Sequence, residues 1–251
     1  MKGLTKLLAV SPLLLGIGMT RITPLHAHEF IVKPRQLRVE SGAKLPFNLL
    51  ATHFFMIGEE VEPINTVKAW LVEGDKKASV ELKENHGQQS LDGIASLNRK
   101  GTALLIGHLQ EPIEALKGEG TKKSRRIKRE KFAKALITVS AEDDGYKKML
   151  GHKLEIVPVS NVMKAKAGEE LSFRILLDGK PVRSQTYATY DGFSRRSMTF
   201  AYATESANDG LAHVKVTQPG TWMVRVEKRL EETTKDYDLY SLKATLVFSV
   251  Q

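Results

Sequence analysis

Residues 208–227, NDGLAHVKVTQPGTWMVRVE, decide the fold. Ala212, Val214 and Val216 alternate with Leu211, His213, Lys215 and Thr217, a period of two that an extended chain sorts onto opposite faces. Asn208-Asp209-Gly210 before this run and Pro219-Gly220 after it supply the tight-turn and positive-φ chemistry that hairpins require. Trp222, followed by Val224 and Val226, opens a second run of the same kind and reads as a core anchor.

Outward from this stretch the rhythm continues. Strand candidates fall at 153–157, 171–177, 186–190, 198–203, 211–217, 221–227 and 242–250, with Ala167-Gly168, Asp178-Gly179 and Asp191-Gly192 as further turns. About seven short strands in a hundred residues predict an immunoglobulin-like or prealbumin-like β-sandwich. With 0 Cys, the disulfide of an antibody-type domain is excluded. The first half repeats the pattern less regularly, with candidates at 28–32, 36–39, 46–55, 67–72, 78–82, 102–109 and 133–140. The reading is all-β, in two β-sandwich modules at 28–145 and 146–251 that meet at the polar turn 141–145. Residues 113–131 contain few β-branched residues and lack alternation, so a short helix or loop is expected there.

Ahead of the first module, Lys2 and Lys6 precede an apolar run of 13 residues, 7–19, and Leu25-His26-Ala27 ends in a small residue. That is the build of a signal peptide, residues 1–27, cleaved after Ala27; the run is short of the length a spanning helix needs. No transmembrane segment is expected in the mature chain. Export without cysteine suits a bacterial periplasm. Lys2, Lys6 and Arg21 leave with the signal and no acid does, so the net charge of +9 falls by three to about +6. A basic balance suits phosphate partners in the cytoplasm, but export argues against nucleic acid. Much of the excess sits in Lys122, Lys123, Arg125, Arg126, Lys128, Arg129, Lys131 and Lys134, which read as a solvated linker or helix face.

The chain carries no nucleophile elbow, P-loop, H-E-x-x-H helix or dinucleotide fingerprint, so the expectation is a protein that is not an enzyme. The pairs Glu59-Glu60, Glu169-Glu170 and Glu231-Glu232 read as solvated charge and take no role. The histidines differ from them. Cleavage after Ala27 sets an α-amine and an imidazole on one residue, His28, and these form a six-membered chelate; an imidazole from another strand completes a histidine brace suited to Cu(II) or Ni(II). His53 shares the alternating face of Phe47, Leu49, Ala51 and Phe55, where an imidazole needs a hydrogen-bond partner or a metal. His152 repeats the theme beside Leu154 and Ile156. His213, His86 and His108 read as surface residues.

Several short motifs, in order, resemble an exported bacterial family with a domain of unknown function, often labelled periplasmic components of cobalt or nickel uptake systems. They are Ala27-His-Glu-Phe30, Lys134-Ala-Leu136, Gly151 to Pro158, Leu177 to Pro181, Tyr187 to Phe193, Asn208 to Ala212, Pro219 to Trp222 and the closing 244–250. The resemblance implies two sandwich modules and transition-metal handling beside a membrane metal transporter. The expected ligands of a divalent nickel, cobalt or copper ion are His28, His53 and His152. A metal-free envelope module that binds a protein, peptide or glycan is the alternative, and it predicts dispersed histidines.

Overall fold

The computed structural model describes residues 28–116 and 124–251; the expected signal peptide, 1–27, and Lys122 and Lys123 of the basic run lie outside the described residues. The first half carries β1 (Glu29–Pro34), β2 (Arg38–Val39), β3 (Lys44–Thr52), β4 (Val67–Glu73) and β5 (Lys76–Ser79). There follow β6 (Leu82–Asn85), β7 (Ser90–Ser96), β8 (Gly101–Gln110), β9 (Glu114–Leu116) and β10 (Arg125–Val139). The second half supplies β11 (Leu154–Pro158), β12 (Glu170–Leu177), β13 (Lys180–Pro181) and β14 (Gln185–Tyr190). It ends with β15 (Tyr202–Glu205), β16 (Leu211–Lys215), β17 (Gly220–Glu231) and β18 (Leu239–Val250).

The protein is all-β, and its two sandwiches share a sheet. A ten-stranded sheet runs β15-β14-β17-β18-β10-β8-β4-β5, with β2 and β9 attached to β10. The sheet β1-β3-β7-β6 covers one face and the sheet of β11, β12, β13 and β16 covers the other. Alternation along β10 shows the division: Phe132 and Leu136 enter the core under β11 and β12, whereas Ala133, Ala135, Ile137 and Val139 enter the core under β1 and β3. A strand buried on both faces needs a largely apolar run, which fits the composition of 132–139 and 242–250. The expected boundary at 145/146 falls between β10 and β11. The halves meet through β10 and β18, parallel from Ile127↔Leu239 to Ala135↔Val247.

Trp222 is fully buried as expected, its Nε1 donating to the Gln218 carbonyl at 2.8 Å and its ring 5.0 Å from that of Tyr190. Residues 113–131 differ from the expected short helix or loop: 114–116 form β9, and from Arg125 the chain is the start of the longest strand. The reason is lateral charge pairing. Arg125 meets Glu231, Arg126 meets Asp238, Arg129 lies 2.7 Å from Glu114, and Lys131 lies 2.6 Å from Glu111. A charge run reads as solvated until neighbouring strands supply its counter-ions, and here Arg129, Glu130 and Lys131 are buried.

A candidate metal centre at the start of the first strand

Register creates the site. β1 pairs antiparallel with β3, and Glu29↔Thr52 is the terminal pair. One step further, the same register sets His28 opposite His53, and residues directly opposite on an antiparallel pair bring their side chains together. Their ring centroids are 4.1 Å apart. β3 ends at Thr52, whose Oγ1 accepts the Phe54 N–H at 2.8 Å and starts a turn. Lys33 Nζ pins that turn by donating to the Met56 carbonyl at 2.8 Å. The chain then comes back alongside β3, with Glu59 N–H donating to the Ala51 carbonyl at 3.1 Å and Glu60 bridging Ala51. The turn therefore returns Glu59 and Glu60 to the two histidines.

His28, His53 and Glu59 each offer a donor atom within 4.8 Å of the others, a group able to hold a metal ion. Glu59 Oε2 is 3.2 Å from His53 Nδ1 and 4.0 Å from His28 Nε2. Glu60 Oε1 stands 2.6 Å from the buried Nδ1 of His28 as an ion-pair neighbour, and among the described residues no hydrogen bond reaches that nitrogen. Burial lowers the pKa of His28 below the usual imidazole value, although the Glu60 and Glu59 carboxylates pull it upward. The neutral imidazole that results is the form that binds metal.

The second half of the chain closes the site from behind. Met198 N–H donates to the His53 carbonyl at 3.3 Å. Between this loop and β1 lies a cavity of about 20 Å³ lined by Thr52, His53, Tyr190, Arg196 and Thr199 among others, enough for a single water. Beneath it, Arg225 Nη2 and Lys243 Nζ both donate to Glu29 Oε1, at 2.7 and 3.2 Å, and Thr245 Oγ1 donates to the Phe30 carbonyl at 2.6 Å. These bonds hold the start of β1 on the central sheet. His28 is 8% exposed as a result.

His152 is not part of this group. Its ring stacks on Phe132 at 5.1 Å, and Phe132 stacks in turn on His108 at 4.7 Å, on the face of the central sheet away from β1. The strand expected over 153–157 is present as Leu154–Pro158, and His152 lies ahead of it, where Glu155 accepts the backbone N–H groups of Leu150 and Gly151 as well as Lys134 Nζ and turns the chain. His108, expected at the surface, is largely buried beside Glu130 at 3.4 Å. The pair Glu59-Glu60, read as solvated charge, is the feature of the site that sequence reasoning missed. Glu59 follows Thr52 by seven positions, and nothing in the intervening stretch says that a turn will fold it back.

Burial is the main cause that brings His152 down to about 4, against the pull of Glu155. The unfolded chain therefore takes up that proton first as pH falls. The sign is that stability is complete above about pH 6.5 and is lost as pH drops through 4, by about 3 kcal/mol at most. His152→Gln is expected to flatten the dependence of urea-unfolding stability on pH across that window. An unchanged slope would show that His152 is not neutral and buried.

Fold and site together define an all-β sandwich protein with a histidine and carboxylate cluster at the first strand of its N-terminal half. The chain belongs to the family described as Domain of unknown function (DUF4198), whose profile matches residues 25–229 and so includes the whole cluster. No curated protein matches it. Among solved structures it is similar to the D0-D1 domain of intimin, at 12% identity and TM-score 0.25 over 86% of this chain and 96% of that one. It is also similar to the Escherichia coli adhesin FdeC, at 15% identity and TM-score 0.25, over 88% of this chain and 63% of that one. A DUF4785 family protein from Legionella pneumophila gives 13% identity and TM-score 0.27, over 78% of this chain and 50% of that one.

Proposed function

We propose that this is an exported, non-enzymatic metal-binding protein that holds one divalent transition metal, nickel, cobalt or copper, and passes it to a membrane transporter in the periplasm. The meeting of His28 and His53, ring centroids 4.1 Å apart with the Glu59 carboxylate against them, carries the reading. Three further points support it. The buried Nδ1 of His28 receives no hydrogen bond among the described residues and has a carboxylate, Glu60, 2.6 Å away, a nitrogen and an oxygen that one ion could share. The lowered pKa of His28 keeps its imidazole ready. Cleavage after Ala27 adds an amine beside that nitrogen, which makes the donor set rich in nitrogen and suited to Cu(II) or Ni(II). The metal-free alternative predicts dispersed histidines, and two of them sit ring against ring.

The test is metal uptake by the chain that starts at His28. Equilibrium dialysis against Cu(II), Ni(II) and Co(II) is expected to give one tightly bound ion per chain. His53→Ala is expected to weaken uptake about a hundredfold, close to 3 kcal/mol. His152→Ala is expected to leave it unchanged. No uptake of any of the three ions, or equal affinity in His53→Ala, would refute the proposal.

A further inference from the structure

The contacts of Glu59 gather on one oxygen. Oε2 accepts the backbone N–H of His53, lies 3.2 Å from the Thr52 hydroxyl, and lies 3.2 Å from His53 Nδ1. The backbone of Glu59 is itself tied to β3 through the Ala51 carbonyl. Its carboxylate is thus fixed on the residue that bears the imidazole as well as on the ring. Oε2 is committed to His53, whose N–H it accepts and whose Nδ1 it faces, while the single Thr52 hydroxyl proton has a closer acceptor in the Phe54 carbonyl at 2.7 Å. His28 Nδ1 differs: it is buried, receives no hydrogen bond among the described residues, and has only the Glu60 carboxylate beside it as an ion-pair neighbour.

We infer that Glu59 is a positioning residue of the metal centre and not one of its ligands. This inference rests on the metal-binding reading above. Glu59 takes the Nδ1 proton of His53, fixes that tautomer and leaves Nε2 as the free donor, as carboxylates do behind metal-bound histidines. His28 contributes Nδ1, which no hydrogen bond engages among the described residues, together with its amine. The carboxylate in reach of that nitrogen is Glu60, at 2.6 Å. The two adjacent acids therefore have different roles: Glu59 orients one histidine, and Glu60 sets its negative charge beside the other.

Wild-type, Glu59→Gln and Glu59→Ala chains, all starting at His28, distinguish the roles. Each is titrated with Cu(II) against a competing chelator, its electron paramagnetic resonance spectrum is recorded, and the His53 tautomer is read in the metal-free protein by long-range ¹H–¹⁵N spectra. Thermal melts confirm that each variant folds. A Gln oxygen accepts the same proton as Glu but is a poor substitute for a carboxylate ligand. The expected result is a loss of about 10- to 100-fold in Glu59→Ala, near-wild-type affinity in Glu59→Gln, and an unchanged copper spectrum in the latter. His53 should hold its proton on Nδ1 in wild-type and Glu59→Gln chains and lose that preference in Glu59→Ala. Equal weakening in both variants with an altered spectrum would make Glu59 a ligand and overturn the assignment alone. Absence of Cu(II) uptake by the wild-type chain would overturn the metal reading and this assignment with it.

Discussion

A chain carrying one extra residue ahead of His28 is expected to bind Cu(II) about a thousandfold more weakly than the chain that begins there, a loss of about 4 kcal/mol. Extension converts the amine into an amide, which has no free lone pair for the ion at neutral pH. The six-membered ring of amine and Nδ1 is then gone, and His28 is reduced to a single imidazole donor. The fold should not notice the extension, because the contacts that hold β1 begin at the His28 carbonyl, which accepts from Lys243 Nζ at 3.3 Å, and continue inward through Glu29 and Phe30. Competition titration of the two chains, with thermal melts alongside, measures the effect. Equal affinities would remove the amine from the site and leave His28 and His53 as two ordinary imidazole ligands.

Glu29→Ala is expected to destabilise the protein by about 3–5 kcal/mol, the usual result when one partner of a buried ion pair is deleted. Glu29 is 3% exposed, and its Oε1 is shared by Arg225 and Lys243, both buried. Burial opposes charge on Arg225, yet the Glu29 and Glu227 carboxylates raise its pKa above the usual guanidinium value. For Lys243 burial prevails and lowers the pKa, although Glu29 raises it. Without Glu29 the two cations keep their desolvation cost and lose the acid between them. Urea unfolding at neutral pH reads the change directly, and a loss below about 1 kcal/mol would show that the network is wetter than its geometry indicates. The network joins Glu29 of the first half to Arg225 and Lys243 of the second, so this variant also measures how far the two halves depend on each other.

Much of the fold was legible because strands of this type declare themselves locally. The alternation of Ala212, Val214 and Val216, and the Asp-Gly and Pro-Gly turns, placed β12, β14, β16, β17 and β18 within a few residues of their ends. The candidate at 198–203 was less well placed: β15 begins only at Tyr202, because Met198 belongs to the loop that donates to His53. The first half was harder. β7 shows no clear signal around Gly93, and residues 125–131 were misread because a row of cations says nothing about the acids waiting on β9 and the β17–β18 end of the sheet.

The site was legible in part, and for one residue the reasoning was incomplete. His53 was singled out as continuing the buried face of β3, but the strand stops at Thr52 and His53 stands in the turn beyond it. What brings it to His28 is cross-strand register, which pairs 29 with 52. His152 shared the apolar neighbours that drew attention to His53, and it ended on the opposite side of the central sheet.

The sequence by itself determined the kind of protein this is: period-two alternation and turn chemistry act over a few residues, and they suffice to specify strands, hairpins and an all-β core. It also marked His28 and His53 as chemically unusual. Tertiary structure alone decided that two sandwiches share one sheet, that a basic run becomes a buried strand, and that Glu59 and Glu60 return to the histidines while His152 does not. These outcomes depend on which strand lies beside which, and on the charges each brings to the other. Contacts between residues far apart in the chain leave no periodicity along it.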